Sequence, residues 1–376
     1  MSFEFFSVDD HIIEPSDVWT KRVPAKFRDT APHVVEAEGR EFWEFEDTRL
    51  LTMGLNAVAG LPREKWGLEP ARFTDMIPGC YDPVQRAIDM RSQGIHASVN
   101  FPTLPRFGGA LFNDFKDKEL ALECVKAWND FIIDEWCATD PDMFVPMVIC
   151  PLWDPKLSEI EIRRCVDKGA KALCFVENPP PLGLPSFHHP DHWDPIFGTC
   201  QEADIPVCMH IGSSGAGAQQ ITSDPFTPPI VFIAAAFANA AFASVNMMLS
   251  PIPRKFENIK LVWSEGGIGW IPAALERADR QWERHLWSHA DDIAPSELAR
   301  RNMWFCMIEE PVGLKYRDDF VVDHILWESD YPHADTPFPT TQENAKVVFD
   351  GVPDDVVRKI SRSNAEELFK HKLVVR

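Results

Sequence analysis

Short apolar runs alternate with longer segments of helical periodicity along most of the chain. This alternation is typical of parallel strands joined by crossover helices. Asp82–Gln93 and Ser158–Asp167 have the helical pattern, and Pro83 stands where a first-turn proline is favoured. Eight apolar runs are predicted to be strands: Phe5–Val8, Ala97–Phe101, Phe144–Cys150, Ala172–Val176, Pro206–Met209, Ile259–Trp263, Met303–Met307 and Ile325–Trp327.

The eight strands predict an α/β fold, a (β/α)8 TIM barrel. We expect residues 1–376 to form a single domain, because barrels of this kind exceed 200 residues as one unit. Long loops are predicted after strands 1, 4 and 5. The first, at about 32–81, is rich in Trp, Gly and Pro and is expected to cover the barrel mouth, and the others are Asn178–Pro195 and Gly212–Pro229.

The chain is strongly acidic. Asp and Glu outnumber Lys and Arg by 58 to 37, which gives a formal net charge of -21. This charge repels phosphate backbones and anionic lipid surfaces, so we expect neither nucleic acid nor a membrane as a partner. The N-terminus has no basic region before its apolar run, and the nine cysteines form no CxxC pair. Both features favour a cytoplasmic protein with buried thiols.

One segment is apolar enough to be a candidate for a membrane span. Ile230–Leu249 has no charged residue and is long enough to cross a bilayer. Asn239 and Asn246 lie within it and no basic cluster flanks one side, so we expect a buried barrel helix or a subunit-contact helix. With the region around Trp282 and Trp287, this apolar surface predicts a homo-oligomer, most simply a homodimer.

Residues of metal-ligand type gather at the C-terminal ends of the predicted strands, where barrel enzymes place their chemistry. A single His or carboxylate in such a place is more often a hydrogen-bonding or capping group. Several together predict a metal site, because burying them without a cation is costly. The first two are two residues apart on one strand and so point the same way. The candidate ligands are Asp9, His11, Glu177, His210, Glu265 and Asp330.

Six segments carry a resemblance to a known family: SVDDHIIEP, GCYDPVQRAIDMRSQGI, VCMHIGSSG, LVWSEGGIGWIP, LWESDYPHADTP and ISRSNAEELF. Over nearly its whole length the chain resembles the amidohydrolase-2 family of metal-dependent barrels, which includes aminocarboxymuconate-semialdehyde decarboxylase and the resorcylate decarboxylases. The resemblance implies metal ligands at Asp9, His11, His210 and Asp330. Two positions depart from the family pattern. Asp9 replaces the first His or Glu of the strand-1 pair, and Glu265 stands where the decarboxylases have a His.

The departure at Glu265 counts against decarboxylation, because the proton-donating imidazole is absent from its place. Four carboxylates with two imidazoles are the ligand set of di-iron and di-manganese carboxylate proteins, and such donors suit iron or manganese. The chain is also similar to a branch known as non-haem di-iron monooxygenases of diterpenoid biosynthesis. That resemblance implies two Fe ions (alternatives Mn or Zn), O2, and hydroxylation of a small apolar substrate such as a CoA-linked terpenoid acyl thioester.

Two other reactions stay open. One is hydrolysis of an ester, lactone or amide by a metal-bound water, with Glu265 as general base. The other is non-oxidative decarboxylation at a single Zn or Mn ion.

The remaining histidines and the cofactor motifs give three further expectations. His333, three residues after Asp330, is a candidate for contact with the substrate. His188, His189 and His192 lie in a polar loop and are expected to be solvated or part of a substrate lid. We expect no organic cofactor, because neither a glycine-rich nucleotide loop in a usable context nor a nucleophile elbow occurs.

Overall fold

The computed structural model describes residues 2–213, 226–228, 230–288 and 291–375. Its strands are β1 Phe5–Ile12, β2 His33–Ala37, β3 Arg40–Phe45, β4 Thr48–Leu51, β5 Ile95–Pro102, β6 Phe144–Val145, β7 Met147–Val148, β8 Ala172–Val176, β9 Val207–His210, β10 Leu261–Ser264, β11 Met303–Met307 and β12 Ile325–Trp327.

The predicted helices are present, with aspartates at their N-termini. The Asp82 carboxylate accepts the backbone N–H groups of Val84 and Gln85, which fixes the start of the first α-helix. Asp154 caps the predicted second helix in the same way. The described α-helices are Pro83–Ser92, Ala110–Asn113, Lys118–Phe131, Cys137–Thr139, Pro155–Asp167, Asp194–Ala203, Ile230–Ala235, Phe237–Met248, Ile252–Lys255, Ile271–Arg284, Pro295–Asn302, Pro311–Lys315, Thr341–Val348, Asp354–Arg358 and Asn364–Leu368.

The strands outside residues 33–51 form the predicted (β/α)8 barrel. Every neighbouring pair is parallel, in the orders β1-β5-β6 and β7-β8-β9-β10-β11-β12. The third barrel strand, predicted as one run, is divided at Pro146 into β6, which pairs with β5, and β7, which pairs with β8. Proline has no N–H to donate to a ladder, so the pairing changes partner at this residue.

Hydrogen bonds between β1 and the segment after β12 close the barrel. The His11 N–H donates to the Tyr331 carbonyl at 2.7 Å, and the Asp330 N–H donates to the Asp9 carbonyl at 2.8 Å. The Ser329 N–H also donates to the hydroxyl of Ser7, 322 positions earlier in the chain. Strand β1 therefore runs four residues beyond its predicted end, and two candidate ligands lie inside it.

The loop predicted at 32–81 contains a three-stranded antiparallel sheet, β2-β3-β4, so the loop assignment is wrong for residues 33–51. On β3, Trp43 and Phe45 are buried while the residues between them are less so, which is the period of a strand. Gly39, with φ 72°, makes the turn into β3. This alternation indicates a strand, whereas the content of Trp, Gly and Pro suggested a loop. Beyond the sheet, Met53 and Asn56 line the cavity at the barrel mouth.

The uncharged segment Ile230–Leu249 forms two helices, Ile230–Ala235 and Phe237–Met248. Ile230, Phe237 and Phe242 are 62%, 50% and 64% exposed, so the expectation of a buried helix is wrong for much of this segment. Within the residues that the structure describes, none of the helices combines the length and the apolar character that a membrane span needs. The homo-oligomer and the one-domain organisation stay predictions.

The remaining loop expectations have mixed outcomes. After β8, the predicted loop contains one short 3-10 helix, Pro180–Leu182, before the helix that begins at Asp194. The third predicted loop, Gly212–Pro229, lies for the most part outside the described residues. All nine cysteines are free and buried, as predicted.

Glu14 joins the ends of two barrel strands from a buried position. Its two carboxylate oxygens accept the N–H groups of Thr103 and Leu104, each at 2.9 Å, and the indole N–H of Trp128 donates to it at 3.3 Å. Burial raises the pKa of Glu14 to about 7. The Glu14 side chain thus fixes the backbone of the segment that follows β5.

Replacing Glu14 with Ala should lower the free energy of unfolding by about 2–4 kcal/mol, because two buried N–H groups lose their acceptors. Urea titration measures this loss. Glu276→Ala removes an exposed carboxylate and is the control, with an expected change within about 0.5 kcal/mol. Equal stability of Glu14→Ala and the control would contradict the role of Glu14.

The raised pKa of Glu14 also predicts a pH dependence. Since burial favours the protonated form, the folded protein binds more protons than the unfolded chain between the ordinary value of 4.5 and about 7. The contribution of Glu14 to stability is therefore full below pH 4.5 and is lost as the pH rises through 7. The unfolding free energy of the parent relative to Glu14→Gln should fall by about 2–3 kcal/mol from pH 5 to pH 8. A flat difference would show that the carboxyl group is ionised throughout.

Candidate metal centre

Asp9 and His11 lie on β1 and point into the mouth of the barrel, as their spacing predicts. Both side chains are fully buried. The Nε2 atom of His11 lies 3.3 Å from Oδ1 of Asp9 and 3.1 Å from Oδ1 of Asp330, on the segment after β12. Asp10, between them on the strand, points the other way and accepts hydrogen bonds from the hydroxyls of Ser98 and Ser329.

His210 ends β9 and approaches the same group of atoms from the opposite wall. Its Nε2 atom lies 3.3 Å from Oδ2 of Asp9 and 3.0 Å from Oε2 of Glu265. The Nδ1 atom lies 2.7 Å from the carbonyl of Ile211. Because this carbonyl can only accept, Nδ1 carries the proton and Nε2 keeps a free lone pair, which is the arrangement of a metal-binding histidine.

Several buried atoms that could bind a metal have no hydrogen-bond partner, among them both oxygens of Asp9, Nε2 of His11, Nε2 of His210 and Oδ1 of Asp330. Unpartnered buried polar atoms are costly, so a cluster of them points to a missing ligand. Within the described residues two triplets have donor atoms within 4.8 Å of one another, namely Asp9, His11 and His210, and His11, Asp330 and His333. Carboxylate oxygens and imidazole nitrogens in this number fit a divalent cation.

The charges at the site also call for a cation. Burial raises the pKa of Asp9 well above its usual range, and the neighbouring charges of Glu328 and Asp330 raise it further. The pKa values of Glu328 and Asp330 are raised chiefly by burial as well. Among the described residues no Lys or Arg forms an ion pair with these three carboxyl groups; Arg86, the nearest buried base, donates to backbone carbonyls instead.

Two of the acidic residues have a backbone conformation that side chains disfavour. Glu265 and Asp330 have φ values of 56° and 50°, in the left-handed region. The Glu265 N–H donates to both oxygens of the buried Glu328 carboxylate at 3.1 Å. Asp330 is fixed by its bond to the Asp9 carbonyl and by the N–H of Asp335, which donates to Oδ2 at 3.1 Å. Strain retained in this way is common at functional sites.

The structure brings together five of the six ligands proposed from the sequence. Glu265 reaches the group through His210, whereas Glu177 is buried after β8 but belongs to neither triplet of clustered donors, and its N–H donates to the hydroxyl of Ser213. Glu177 thus lies at a strand end, as predicted, and its role as a ligand stays a prediction.

The other histidines divide between the site and the surface. His333 stacks on His11 with ring centroids 3.6 Å apart and lies with its Nδ1 3.4 Å from Oδ1 of Asp330, so it stands beside the proposed ligands. His188 is exposed and contacts Asn246, in agreement with a solvated loop.

Sequence reasoning did not select Glu328, which binds the backbone of Glu265. The spacing indicates it, because Glu328 precedes Asp330 by two residues just beyond a strand. Asp9 precedes His11 by the same spacing within β1. Asp10 was not selected either. Its two serine partners come from other strands and cannot be recognised from β1 alone.

A cavity of about 980 Å³ opens over the site. His210, Glu265, Glu328 and His333 lie in its wall, so a ligand in the cavity reaches the clustered donors. The cavity is large enough for a small organic molecule.

Comparison with known protein families decides what kind of barrel this is. The family model described as Amidohydrolase matches residues 42–370. The chain belongs to the amidohydrolase family. This membership confirms the family that we inferred from the six segments, and it fits the barrel with its site at the C-terminal ends of the strands.

Relatives and solved structures extend the comparison. A gamma-resorcylate decarboxylase of Rhodococcus jostii (strain RHA1) is 26% identical over 269 residues, which cover 68% of this chain and 78% of the relative. An amidohydrolase of Mycobacterium avium subsp. paratuberculosis K-10 has a similar structure, with a TM-score of 0.77 and 21% identity over 98% of this chain and 100% of the other. A dihydroxybenzoic acid decarboxylase of Polaromonas sp. JS666, with bound manganese and the inhibitor 2-nitroresorcinol, has a TM-score of 0.62 and 16% identity over 98% and 97%.

These comparisons correct the expected reaction. We placed hydroxylation by a di-iron monooxygenase first and hydrolysis second, and this order is wrong, because the relatives whose names state a reaction are decarboxylases. Neither O2 nor a CoA-linked substrate has support. The absence of an imidazole at Glu265 is therefore weaker evidence about the reaction than the resemblance of the remaining segments.

The unpartnered donors predict that His210→Ala abolishes metal binding while the barrel stays folded. Manganese per chain after equilibrium dialysis should fall from about one to near zero, because losing a ligand costs more than the roughly 10–100-fold in affinity that a supporting residue costs. His188→Ala, which removes an exposed imidazole, is the control and should keep the metal. Full metal content in His210→Ala would refute the assignment.

Proposed function

We propose that this protein is a metal-dependent, non-oxidative decarboxylase of a hydroxylated aromatic carboxylic acid. The observation that carries the proposal is the cluster of unpartnered donors on Asp9, His11, His210 and Asp330, open to a cavity of molecular size. The similarity to a gamma-resorcylate decarboxylase supports the choice of reaction and substrate class.

We assign one divalent ion, manganese, to Asp9, His11, His210 and Asp330. Oxygen and imidazole donors suit this metal, and the dihydroxybenzoic acid decarboxylase of similar fold contains it. When bound, the ion would act as a Lewis acid towards the oxygen atoms of an aromatic acid. Phe107, stacked on His210 at 3.8 Å, shields the cluster from water on one side.

The reaction breaks the bond between the ring carbon and the carboxyl carbon. Its electron pair stays on the ring carbon, which must take a proton as CO2 leaves. We assign this proton to Glu265, whose carboxyl group lines the cavity, is 20% exposed, and is held above the site by the bond of its N–H to Glu328. Solvent then restores the proton. In this chain a carboxyl group thereby takes the place of the imidazole that the family resemblance implies at this position.

Arg106 gives the cavity its attraction for an anionic substrate. It is the one Lys or Arg among the described residues of the cavity wall, where Glu265, Glu309, Glu310 and Asp335 are acidic. Its guanidinium group is half exposed and lies 3.7 Å from Asp114, too far for a tight ion pair. A long, exposed pair of this kind is weak, so Arg106 can exchange it for a carboxylate that enters the cavity. His333 is assigned to contact with the substrate inside the cavity.

Glu265→Gln should lower kcat for decarboxylation of 2,6-dihydroxybenzoate by about 10²–10⁴-fold, because the amide cannot supply the proton. The assay follows CO2 release and the aromatic product, and metal content is measured on the same sample. Manganese should be retained.

Glu309→Gln is the matched control, since Glu309 also lines the cavity but is exposed and bound to Asn344. It should keep most of the activity. Loss of manganese from Glu265→Gln would make Glu265 a ligand instead of the proton donor. Failure of the manganese-loaded parent protein to decarboxylate any hydroxybenzoate would overturn the proposed function.

A further inference from the structure

The cavity at the site is larger than a dihydroxybenzoate requires. Its volume of about 980 Å³ lies at the upper end of the range for drug-sized ligands. A single ring with one carboxyl and two hydroxyl groups is much smaller than such ligands. His210, Glu265 and His333 belong to the proposed site, and many further residues line the same cavity, so it can hold more than one aromatic ring.

Much of the cavity wall is apolar, although Asn56, Arg106, Glu309 and Glu310 also line it. Its apolar part includes Met53, Ile233, Phe237, Trp270 and Ile308. Met53 is 42% exposed, Ile233 37% and Phe237 50%, so these side chains present apolar surface towards the cavity mouth. A ligand that covers this surface gains binding free energy in proportion to the apolar area removed from water.

This apolar wall is anchored to the barrel. A Cβ atom on Gly266, which follows β10 by two residues, would lie 2.5 Å from Cβ of Ala240, so only glycine permits the helix Phe237–Met248 to pack there. The Trp270 indole N–H donates to the carbonyl of the same glycine at 2.7 Å. Phe237 and Trp270 are therefore held in relation to Glu265, the neighbour of Gly266. A preformed apolar wall binds a ligand without the cost of ordering it.

We propose that the substrate is a hydroxylated aromatic acid with an apolar alkyl chain of about five carbons or more. This inference rests on the proposed function and extends it to the substrate. The acid group would lie at the metal, and the chain along Ile233, Phe237 and Trp270. Ile233 of the helix Ile230–Ala235 and Phe237 of the helix Phe237–Met248, both exposed in the described structure, would then form the binding surface for the chain.

The first test is a series of 2,6-dihydroxybenzoates that carry a methyl, propyl, pentyl or heptyl group at carbon 4. Each buried CH2 group contributes up to about fourfold in affinity, and partial burial at an open wall reduces this gain. We expect kcat/KM for the manganese-loaded protein to rise at least about 30-fold from methyl to pentyl. Equal kcat/KM across the series would overturn the inference while leaving the decarboxylase function in place.

A binding measurement separates this inference from the proposed function. The matching 5-alkylresorcinols are the products and need no turnover to bind, so calorimetry on the manganese-loaded protein reports the wall directly. Their affinity should rise with chain length. If decarboxylation fails for every acid but this rise is found, the function is wrong and the apolar chain site stands.

Variants on one helix show whether the wall is where we place it. Phe237→Ala should reduce the ratio of pentyl to methyl kcat/KM at least about fivefold, because the chain loses the aromatic face. Phe242→Ala is the matched control, since Phe242 is 64% exposed on the same helix but is not part of the cavity wall. It should keep the parent ratio. An unchanged ratio in Phe237→Ala, with thermal unfolding showing a folded protein, would overturn the placement.

Discussion

The mutual repulsion of buried carboxyl groups is the constraint on which the barrel mouth depends. Asp9, Glu328 and Asp330 are removed from water at the ends of neighbouring strands, and no Lys or Arg of the described residues forms an ion pair with them. Backbone N–H groups stabilise Glu328 and one oxygen of Asp330, but both oxygens of Asp9 have no hydrogen-bond partner. A bound cation would supply the positive charge that these buried carboxyl groups lack, and so would stabilise the fold.

The same constraint explains the local backbone. Glu265 and Asp330 both take left-handed conformations that cost of order 1–3 kcal/mol each. In both cases the N–H of the strained residue is bound by an acceptor of the site, Glu328 in one case and the Asp9 carbonyl in the other. The acidic groups thus hold one another's backbones in place although their charges repel. The strained backbone lowers the stability of the fold, but it gives the proposed metal ligands a defined arrangement.

The sequence allowed the fold and much of the site to be predicted, because barrel strands are apolar runs and ligands follow their C-terminal ends. Asp9 and His11 could be placed on one face from their spacing alone. The hydrogen bond from the Glu177 N–H to the Ser213 hydroxyl could not, since it joins segments that follow two different strands. Nor could the partners of Asp10, which come from two other parts of the chain. The antiparallel sheet of β2, β3 and β4 could have been predicted from the alternation of apolar and polar residues around Trp43. The composition of residues 32–81, rich in Trp, Gly and Pro, is instead typical of a loop.

Closure of the barrel has a consequence for the order of events during synthesis. The bonds that join β1 to the segment after β12 are made by the backbones of Asp9, His11, Asp330 and Tyr331, so three of the four proposed ligands also form the last seam of the barrel. A nascent chain that has emerged only as far as β11 contains Asp9, His11 and His210 but lacks both the seam and its fourth ligand. An ion held by Asp9 and Asp330 together can therefore be acquired only once nearly the whole chain has left the ribosome, and its uptake marks the completion of the barrel.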